Sequence, residues 1–414
     1  MAFTVGAEKV RAALIGKTLS HSYSKPIHER LGYPYDLAET EPDGLETLLK
    51  SGKYNCFNVT VPYKKEIVRY LDGLSDTARE TGAVNVVKAG KRGLFGYNTD
   101  VFGFEFLLER EGIDVRGKTV MFLGPGGTSR TAEVVLKRRG AKEIIKVGRN
   151  SPVNYANCYL VKGVRAIVNT TPVGMYPDVE GCPIDVSRFD GLESVVDVVY
   201  KPLNTLLVRK AGDLGVKASG GLLMLVAQAV RSAEIFTGEV FGEGTIEKLF
   251  KETRNRACGV AFIGMPGSGK TTLGKMTAEL LGKKFTDTDA EAEKIAGKTV
   301  EEIFASDGEK VFRDLETEAI RAAAQEKNAV ISTGGGAVIR EDNRMKLKEN
   351  SVVIRVVRRV ENLCASGRPL SSSIENLRKL ESQREPIYRD LADFSVNNDG
   401  EISAAFEKIK EFLL

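Results

Sequence analysis

At 414 residues the chain exceeds what one hydrophobic core ordinarily supports, so two or three domains are expected. Apolar residues at 42% and charged residues at 28% describe a soluble globular protein, and a net charge of +4 from 60 basic and 56 acidic residues gives no field suited to nucleic acid or membrane surfaces. Small anionic substrates stay open, as does homo-oligomerisation. Five scattered cysteines, none in a C-x-x-C spacing, argue against disulfide frameworks and zinc sites. With no signal-like N-terminal pattern and no apolar run of membrane length, a cytoplasmic location is expected. His21 and His28 are the only histidines, so proton transfer elsewhere falls to Lys, Asp, Glu, Tyr or water.

In chain order, a short strand should end at Gly16, followed by a hydroxyl-rich loop through Ser22 and Ser24, and then a helix with Pro26 in its first turn. Taken alone, such serines more often cap or turn than bind a ligand. The run Cys56 to Lys65 reads as a strand that breaks at Pro62 and leaves Lys64 at a strand-to-helix junction. Gly82-Ala83-Val84-Asn85 and Asn98-Thr99-Asp100 form two further loop edges rich in hydrogen-bonding side chains.

A buried-type strand at 118–123 leads into Gly124-Pro125-Gly126-Gly127-Thr128-Ser129, then a helix to Arg139 and a strand at 143–147. This is a dinucleotide-binding βαβ unit with G-x-G-G in place of the full glycine pattern and Ser129 at the third small position. Where NAD-binding versions place an acidic residue after the second strand, this chain has Arg149 followed by Asn150, and a cation there suits the 2′-phosphate of NADP. Strands follow at 166–169 and 194–199, then Tyr200-Lys201-Pro202, an apolar helix from Gly220 through Gln228, and an amphipathic helix at 245–255. The join to the second half, at 254–257, should be short.

The second half opens on Gly264-Met265-Pro266-Gly267-Ser268-Gly269-Lys270-Thr271-Thr272, preceded by an apolar strand and followed by a helix, which fits G-x-x-x-x-G-K-[ST] at every fixed position. Glycines let backbone N–H groups converge on phosphate oxygens, Lys270 adds a full charge, and Thr271 can ligate Mg2+. An ATP-type nucleotide site is strongly signalled, but the loop alone names no acceptor.

Residues 10 to 240 resemble shikimate dehydrogenase, carried by Ser22-Tyr23-Ser24, Asn58 through Lys64, Gly82 through Asn85, Asn98-Thr99-Asp100, the glycine loop, Asn169 to Met175, Asp197 to Pro202 and Met224 through Gln228. The resemblance implies that Ser22 and Ser24 hold a substrate carboxylate, that Thr60, Lys64, Asn85, Asp100, Tyr200 and Gln228 surround the ring, and that Lys64 and Asp100 form the catalytic pair. It also implies NADP along Gly124, Gly126, Gly127, Thr128, Ser129, Arg149, Asn150, Gly221 and Met224. Of the two phosphate-clamping arginines usual in that family only Arg149 is present, with Val153 at the second position, which loosens the expected NADP selectivity. Leu223 stands where a glycine commonly precedes Met224.

Residues 258 to 400 resemble shikimate kinase, through Asp287-Thr288-Asp289, Phe312 to Glu316, Thr333-Gly334-Gly335-Gly336, Arg368-Pro369-Leu370 and Arg384 to Tyr388. That resemblance implies acceptor binding by Asp289, Arg313, Gly335, Gly336 and Arg384, with Asp289 orienting or deprotonating the hydroxyl. ATP would lie on Gly264, Gly267, Ser268, Gly269, Lys270, Thr271 and Thr272, and Mg2+ on Thr271 and Asp287. Lys270 and Arg368 would stabilise the transferring phosphoryl group. Residues 361–367 lack the other lid arginine usual there, which predicts looser adenine contacts or a shorter lid.

The expected architecture is an α/β substrate domain (1–102 with 220–255), a Rossmann NADP-binding domain (103–219) and a P-loop α/β domain with a parallel sheet, like the nucleoside-monophosphate kinases (256–414). The expected protein is bifunctional, reducing 3-dehydroshikimate with NADPH and phosphorylating the resulting shikimate with ATP. Two alternatives are a shikimate kinase with a non-catalytic redox-cofactor sensor in front, and a quinate/shikimate dehydrogenase using NAD.

Overall fold

The computed structural model describes residues 10–19, 22–124, 127–242, 244–325, 329–363 and 374–414. Its first sheet comprises β1 (Ala12–Gly16), β2 (Tyr35–Glu39), β3 (Cys56–Val59), β4 (Gly73–Leu74), β5 (Val86–Gly90) and β6 (Gly93–Tyr97). The order is β2-β1-β3-β5-β6-β4, with β1 parallel to β2 and β3, and β5 antiparallel to β3 and β6. β1 reads Ala-Ala-Leu-Ile-Gly without polar alternation because both faces are covered, and all five of its residues are buried. Leu14, Tyr35 and Val86 pack with Val226, Val230 and Phe236 of helix Leu222–Thr237 on one side, while Ile15, Phe57, Val59 and Tyr63 fill the other.

The second sheet holds β7 (Thr119–Leu123), β8 (Glu143–Val147), β9 (Val164–Asn169), β10 (Ser194–Asp197) and β11 (Lys217–Ser219) in the order β11-β10-β9-β7-β8, all parallel. The chain steps from β7 outward to β8 and then back across β7 to β9, which opens a crevice at the carboxyl ends of β7 and β9 where such folds bind ligands. β10 stops at Asp197 rather than running to residue 199. The Asp197 carboxylate accepts the Val199 N–H at 3.0 Å and so removes that donor from the ladder.

The third sheet is β12 (Gly259–Ile263), β13 (Phe285–Asp287), β14 (Val330–Ser332), β15 (Ser351–Val357) and β16 (Phe394–Asn397), all parallel in the order β13-β14-β12-β15-β16. β12 is central, so the Gly264 loop leaves the middle of the sheet. The chain divides into two compact units, residues 1–201 with 205–253 and residues 202–204 with 254–414. The join at 254–257 is helical. Helix Thr245–Ala257 runs through it, and Cys258 N–H still donates to Arg254 C=O before β12 begins. No described helix is long and apolar enough to cross a membrane, and no disulfide joins the described cysteines.

His28 sits fully buried in the first unit, stacked on Tyr35 with centroids 4.2 Å apart and its Nδ1 2.5 Å from the Tyr33 hydroxyl. Burial lowers its pKa to about 3. The unfolded chain takes up that proton near pH 6.5 and the native state does not, so the native state loses stability as pH falls from that value toward 3. A His28→Phe variant lacks this penalty. Its stability deficit relative to the parent should narrow by about 1.4 kcal/mol per pH unit between pH 6 and 4 in urea unfolding. A pH-independent gap would mean that His28 titrates alike in both states.

Candidate active sites

In the first unit, β3 ends at Val59, and Thr60 N–H donates to Ile15 C=O at 2.9 Å, which brings Thr60 beside the end of β1. A Cβ on Gly16 would lie 2.7 Å from the Thr60 methyl, so only glycine admits this approach. The turn after a cis Val61–Pro62 bond returns Lys64, whose C=O accepts Val84 N–H at 2.7 Å and fixes the lysine against the Gly82–Asn85 loop.

Lys64 Nζ donates to Asp100 Oδ2 at 2.7 Å, with side-chain exposures of 15% and 7%. Such shielding leaves the pair far less screened than a surface ion pair. Asp100 is the first residue of helix Asp100–Arg110, where the helix terminus favours a carboxylate. Asn85 Nδ2 donates to the other oxygen, Oδ1, at 3.0 Å, and to Gln228 Oε1 at 3.2 Å. The Asn85 amide cannot flip, because its oxygen accepts the Thr99 N–H at 2.8 Å. Helices Asp100–Arg110 and Leu222–Thr237 touch at Gly103, where a Cβ would lie 2.6 Å from Met224 C=O, and that contact brings Gln228 to the cluster.

Ser22 Oγ accepts Ser24 N–H at 3.1 Å at the mouth of the loop, and the intervening Tyr23 packs on half-buried Tyr200 at 5.6 Å. Gly221 N–H donates to Val199 C=O at 2.9 Å, tying Tyr200's loop to the start of the Gln228 helix. The fold thus gathers residues from sequence positions 64 to 228 around one ion pair, and a second contact joins Tyr200 to the serine loop.

In the second unit a cavity of about 420 Å³ opens beside the Gly264 loop, lined among others by Lys270, Thr271, Asp287, Asp289, Arg313, Glu316, Gly335, Gly336 and Arg384. Gly267 and Gly269 have φ of 78° and 101°, the left-handed conformation that favours glycine. Lys270 Nζ donates to Gly264 and Met265 C=O at 3.0 and 2.9 Å, folding over the loop. Thr271 Oγ1 donates to Asp287 Oδ2 at 2.9 Å and lies 3.3 Å from Ser332 Oγ. One carboxylate and two hydroxyls suit a Mg2+ that keeps waters and takes phosphate oxygens, rather than an all-protein metal cage. Among the described residues no group of three or more His, Cys, Asp or Glu side chains is placed to hold a metal ion.

Asp287 caps helix Thr288–Ala296 by accepting Asp289 N–H, which turns Asp289 into the cavity. Arg313 pairs with Glu316 at 2.9 Å and Glu309 at 3.0 Å, and its guanidinium lies where a Cβ on Gly336 would be only 2.3 Å away. Arg384 donates to Gly335 C=O at 3.1 Å, and the Tyr388 hydroxyl donates to the same oxygen. Burial raises the Glu316 pKa against the opposing pull of Arg313, and burial pushes Tyr388 up to about 12. Burial would lower Arg313, but Glu316 and Glu309 hold it above its ordinary value.

Residues 14–87 match the shikimate dehydrogenase substrate binding domain, and residues 266–414 match shikimate kinase. The first part is 35% identical over 244 residues to Shikimate dehydrogenase (NADP(+)) of Clostridium beijerinckii, covering 54% of this chain and 90% of that protein. The chain belongs to the shikimate dehydrogenase family. A chorismate mutase/shikimate 5-dehydrogenase fusion protein from Clostridium acetobutylicum superposes with a TM-score of 0.56 at 34% identity, covering 59% of this chain and 97% of that one. The Thermus thermophilus shikimate 5-dehydrogenase in complex with NADP(H) and shikimate does so with a TM-score of 0.52 at 28% identity, over 59% and 99%. The chain therefore joins a shikimate dehydrogenase to a shikimate kinase domain.

In the dehydrogenase unit, at the end of β7, a Cβ on Gly124 would lie 2.6 Å from the Thr171 methyl, and helix Gly127–Arg138 carries buried Ser129 in its first turn. Gly126 lies outside the described residues, as do His21 and, in the kinase domain, Arg368 and the rest of 364–373. Arg149 and Asn150 are exposed at the turn after β8. Val153 cannot serve as a second clamp: it bridges Val147 and packs into the core under the sheet. Met224 and Leu223 also belong to the core, only 7% and 4% exposed.

Sequence reasoning missed Ser232, Thr99 and Glu316 as members of these clusters. Ser232, fully buried, accepts from Asn58 Nδ2 at 3.0 Å, lies 3.0 Å from Thr99 Oγ1 and donates to Gln228 C=O. The signal was present: Ser232 is one helical turn from Gln228, and Glu316 three residues from Arg313.

Proposed function

We propose that this enzyme reduces 3-dehydroshikimate to shikimate with NADPH and then transfers the γ-phosphoryl group of ATP to shikimate, giving shikimate 3-phosphate. The observation that carries the first step is the shielded Lys64–Asp100 pair held by Asn85 beside Gln228. Bound along the β7 crevice, NADPH would supply the hydride. Lys64 Nζ stabilises charge building on the carbonyl oxygen and gives up its proton to it, while Asp100 keeps the ammonium oriented. Ser22 and Ser24 hold the carboxylate, and Thr60, Asn85, Tyr200 and Gln228 fix the ring hydroxyls.

In the kinase domain Arg313 and Arg384 take the acceptor carboxylate, with Gly335 and Gly336 backing the ring. Two guanidinium groups offset the repulsion between an anionic acceptor and a triphosphate. Asp289 orients the attacking hydroxyl, and Lys270, with Arg368, stabilises the transferring group. Mg2+ on Thr271 and Asp287 would neutralise phosphate charge. We assign substrate binding in the first unit to 1–102 with 220–255, NADP binding to 103–219, and the kinase to 256–414. The absence of disulfides among the described cysteines suits a cytoplasmic enzyme.

The test supplies the full chain with 3-dehydroshikimate, NADPH and ATP and follows NADPH absorbance and shikimate 3-phosphate together. Both should change. Phosphorylation of added shikimate with no NADPH oxidation would instead make the front half a non-catalytic sensor. A single exposed Arg149 gives one charge-assisted contact to the 2′-phosphate, so NADP+ should exceed NAD+ in kcat/KM for shikimate oxidation by only about tenfold. A preference for NAD+ would mean that Arg149 does not face the ribose, and would open quinate as a second substrate to measure.

A further inference from the structure

Arg358 follows β15 directly, at the carboxyl end of the strand next to central β12. The two strands' ends lie close: a Cβ on Gly264 would meet Val356 C=O at 2.4 Å. Its guanidinium Nη1 reaches Gly267 C=O in the phosphate loop at 3.5 Å, and its Nε is buried without a hydrogen-bond partner. Among the described residues no carboxylate lies within ion-pair distance of it, whereas neighbouring Arg359 pairs with Asp399. Arg358 is half-buried, and a charge so placed is costly unless something anionic faces it.

The surroundings hold it in place. Asn398, only 4% exposed at the end of β16, donates to Ser268 C=O at 2.7 Å, and its own N–H donates to Val357 C=O at 2.8 Å. Asp399 accepts Arg359 N–H at 2.7 Å and Asn362 Nδ2 at 3.0 Å, which ties the turn after β15 to the turn after β16. A phosphate-binding loop turns its N–H groups toward the anion and its carbonyls outward. Arg358 and Asn398 take two of those outward carbonyls, Gly267 and Ser268, and Arg358 brings to that corner a full charge with no counter-ion among the described residues.

We propose that Arg358 is a nucleotide-binding cation of the kinase domain, with the phosphate chain of the nucleoside triphosphate as its counter-ion. The inference rests on the nucleotide half of the function proposed above and not on the acceptor. The sequence at 361–367 holds no cation.

The test uses the full chain and calorimetric titration with ATP and, separately, with inorganic tripolyphosphate. Glutamine at 358 can still donate to Gly267 C=O but carries no charge, so Arg358→Gln separates the charge from the hydrogen bond. Its affinity for both ligands should fall about tenfold, with a shallower dependence on salt, while Arg358→Lys stays within about threefold of the parent. The KM for shikimate and the thermal midpoint should not move. Both ligands binding Arg358→Gln within twofold of the parent would reduce the residue to a prop for the loop and overturn the proposal. A loss for ATP without a loss for tripolyphosphate would overturn it too, placing the contact on the base. If the parent binds both ligands but never phosphorylates shikimate, the acceptor assignment fails and this one stands.

Discussion

Lys64→Ala should abolish hydride transfer, lowering dehydrogenase kcat by about three orders of magnitude or more, while ATP-dependent phosphorylation of added shikimate on the same chain continues. The size follows from two losses at once. The ammonium that stabilises the developing oxyanion and donates its proton is gone, and Asp100, 7% exposed in its side chain, loses the cation it faces at 2.7 Å. Asn85 still donates to Asp100 Oδ1, so the carboxylate stays in place and the binding groups at Ser22, Ser24 and Gln228 are untouched. The KM for shikimate should therefore change far less than kcat. Parallel stopped-flow and steady-state measurements check this, and a Lys64→Ala enzyme with parental kcat would remove the pair from the chemistry.

The second large effect concerns Arg313. Glu316 has a fully buried side chain, and Arg313 is the cation it meets at 2.9 Å. An Arg313→Met variant leaves that carboxylate buried, which already raises the Glu316 pKa, and beside Asp289, whose charge adds to the rise. Removing one partner of a buried pair costs about 3–5 kcal/mol, so the kinase domain should unfold at markedly lower urea while shikimate phosphorylation disappears. The double variant Arg313→Met with Glu316→Gln should regain most of the stability, because no unpaired charge remains. It should not regain activity, because the acceptor carboxylate has lost its guanidinium. Recovery of activity in the double variant would make Arg313 a structural partner of Glu316 and nothing more.

Much of this was legible from residues alone. The Gly264 loop, the Gly124 loop and the run at 260–263 carry local signals: glycine where the backbone must bend or approach closely, and an unbroken apolar run where both faces of a parallel sheet are covered. The strand expected to reach residue 199 stopped at Asp197, because a side chain took the ladder's donor. The helix expected at 245–255 runs two residues further, to Ala257, because the Cys258 N–H still finds the Arg254 carbonyl.

By itself the sequence determined the kinds of group at each site: the ammonium and carboxylate of Lys64 and Asp100, the guanidinium groups of Arg313 and Arg384, and the phosphate loop. Those are properties of residue type and of short spacing. Tertiary structure decided which groups meet and in what charge state. Ser232 joined Thr99 and the Asn85 cluster only because helices Asp100–Arg110 and Leu222–Thr237 close together at Gly103. Glu316 acquired a raised pKa through burial, with the Asp289 charge adding to it, and Arg358 reached the phosphate loop only because β15 lies beside β12. Burial and long-range proximity depend on the whole chain, and no window of sequence contains them.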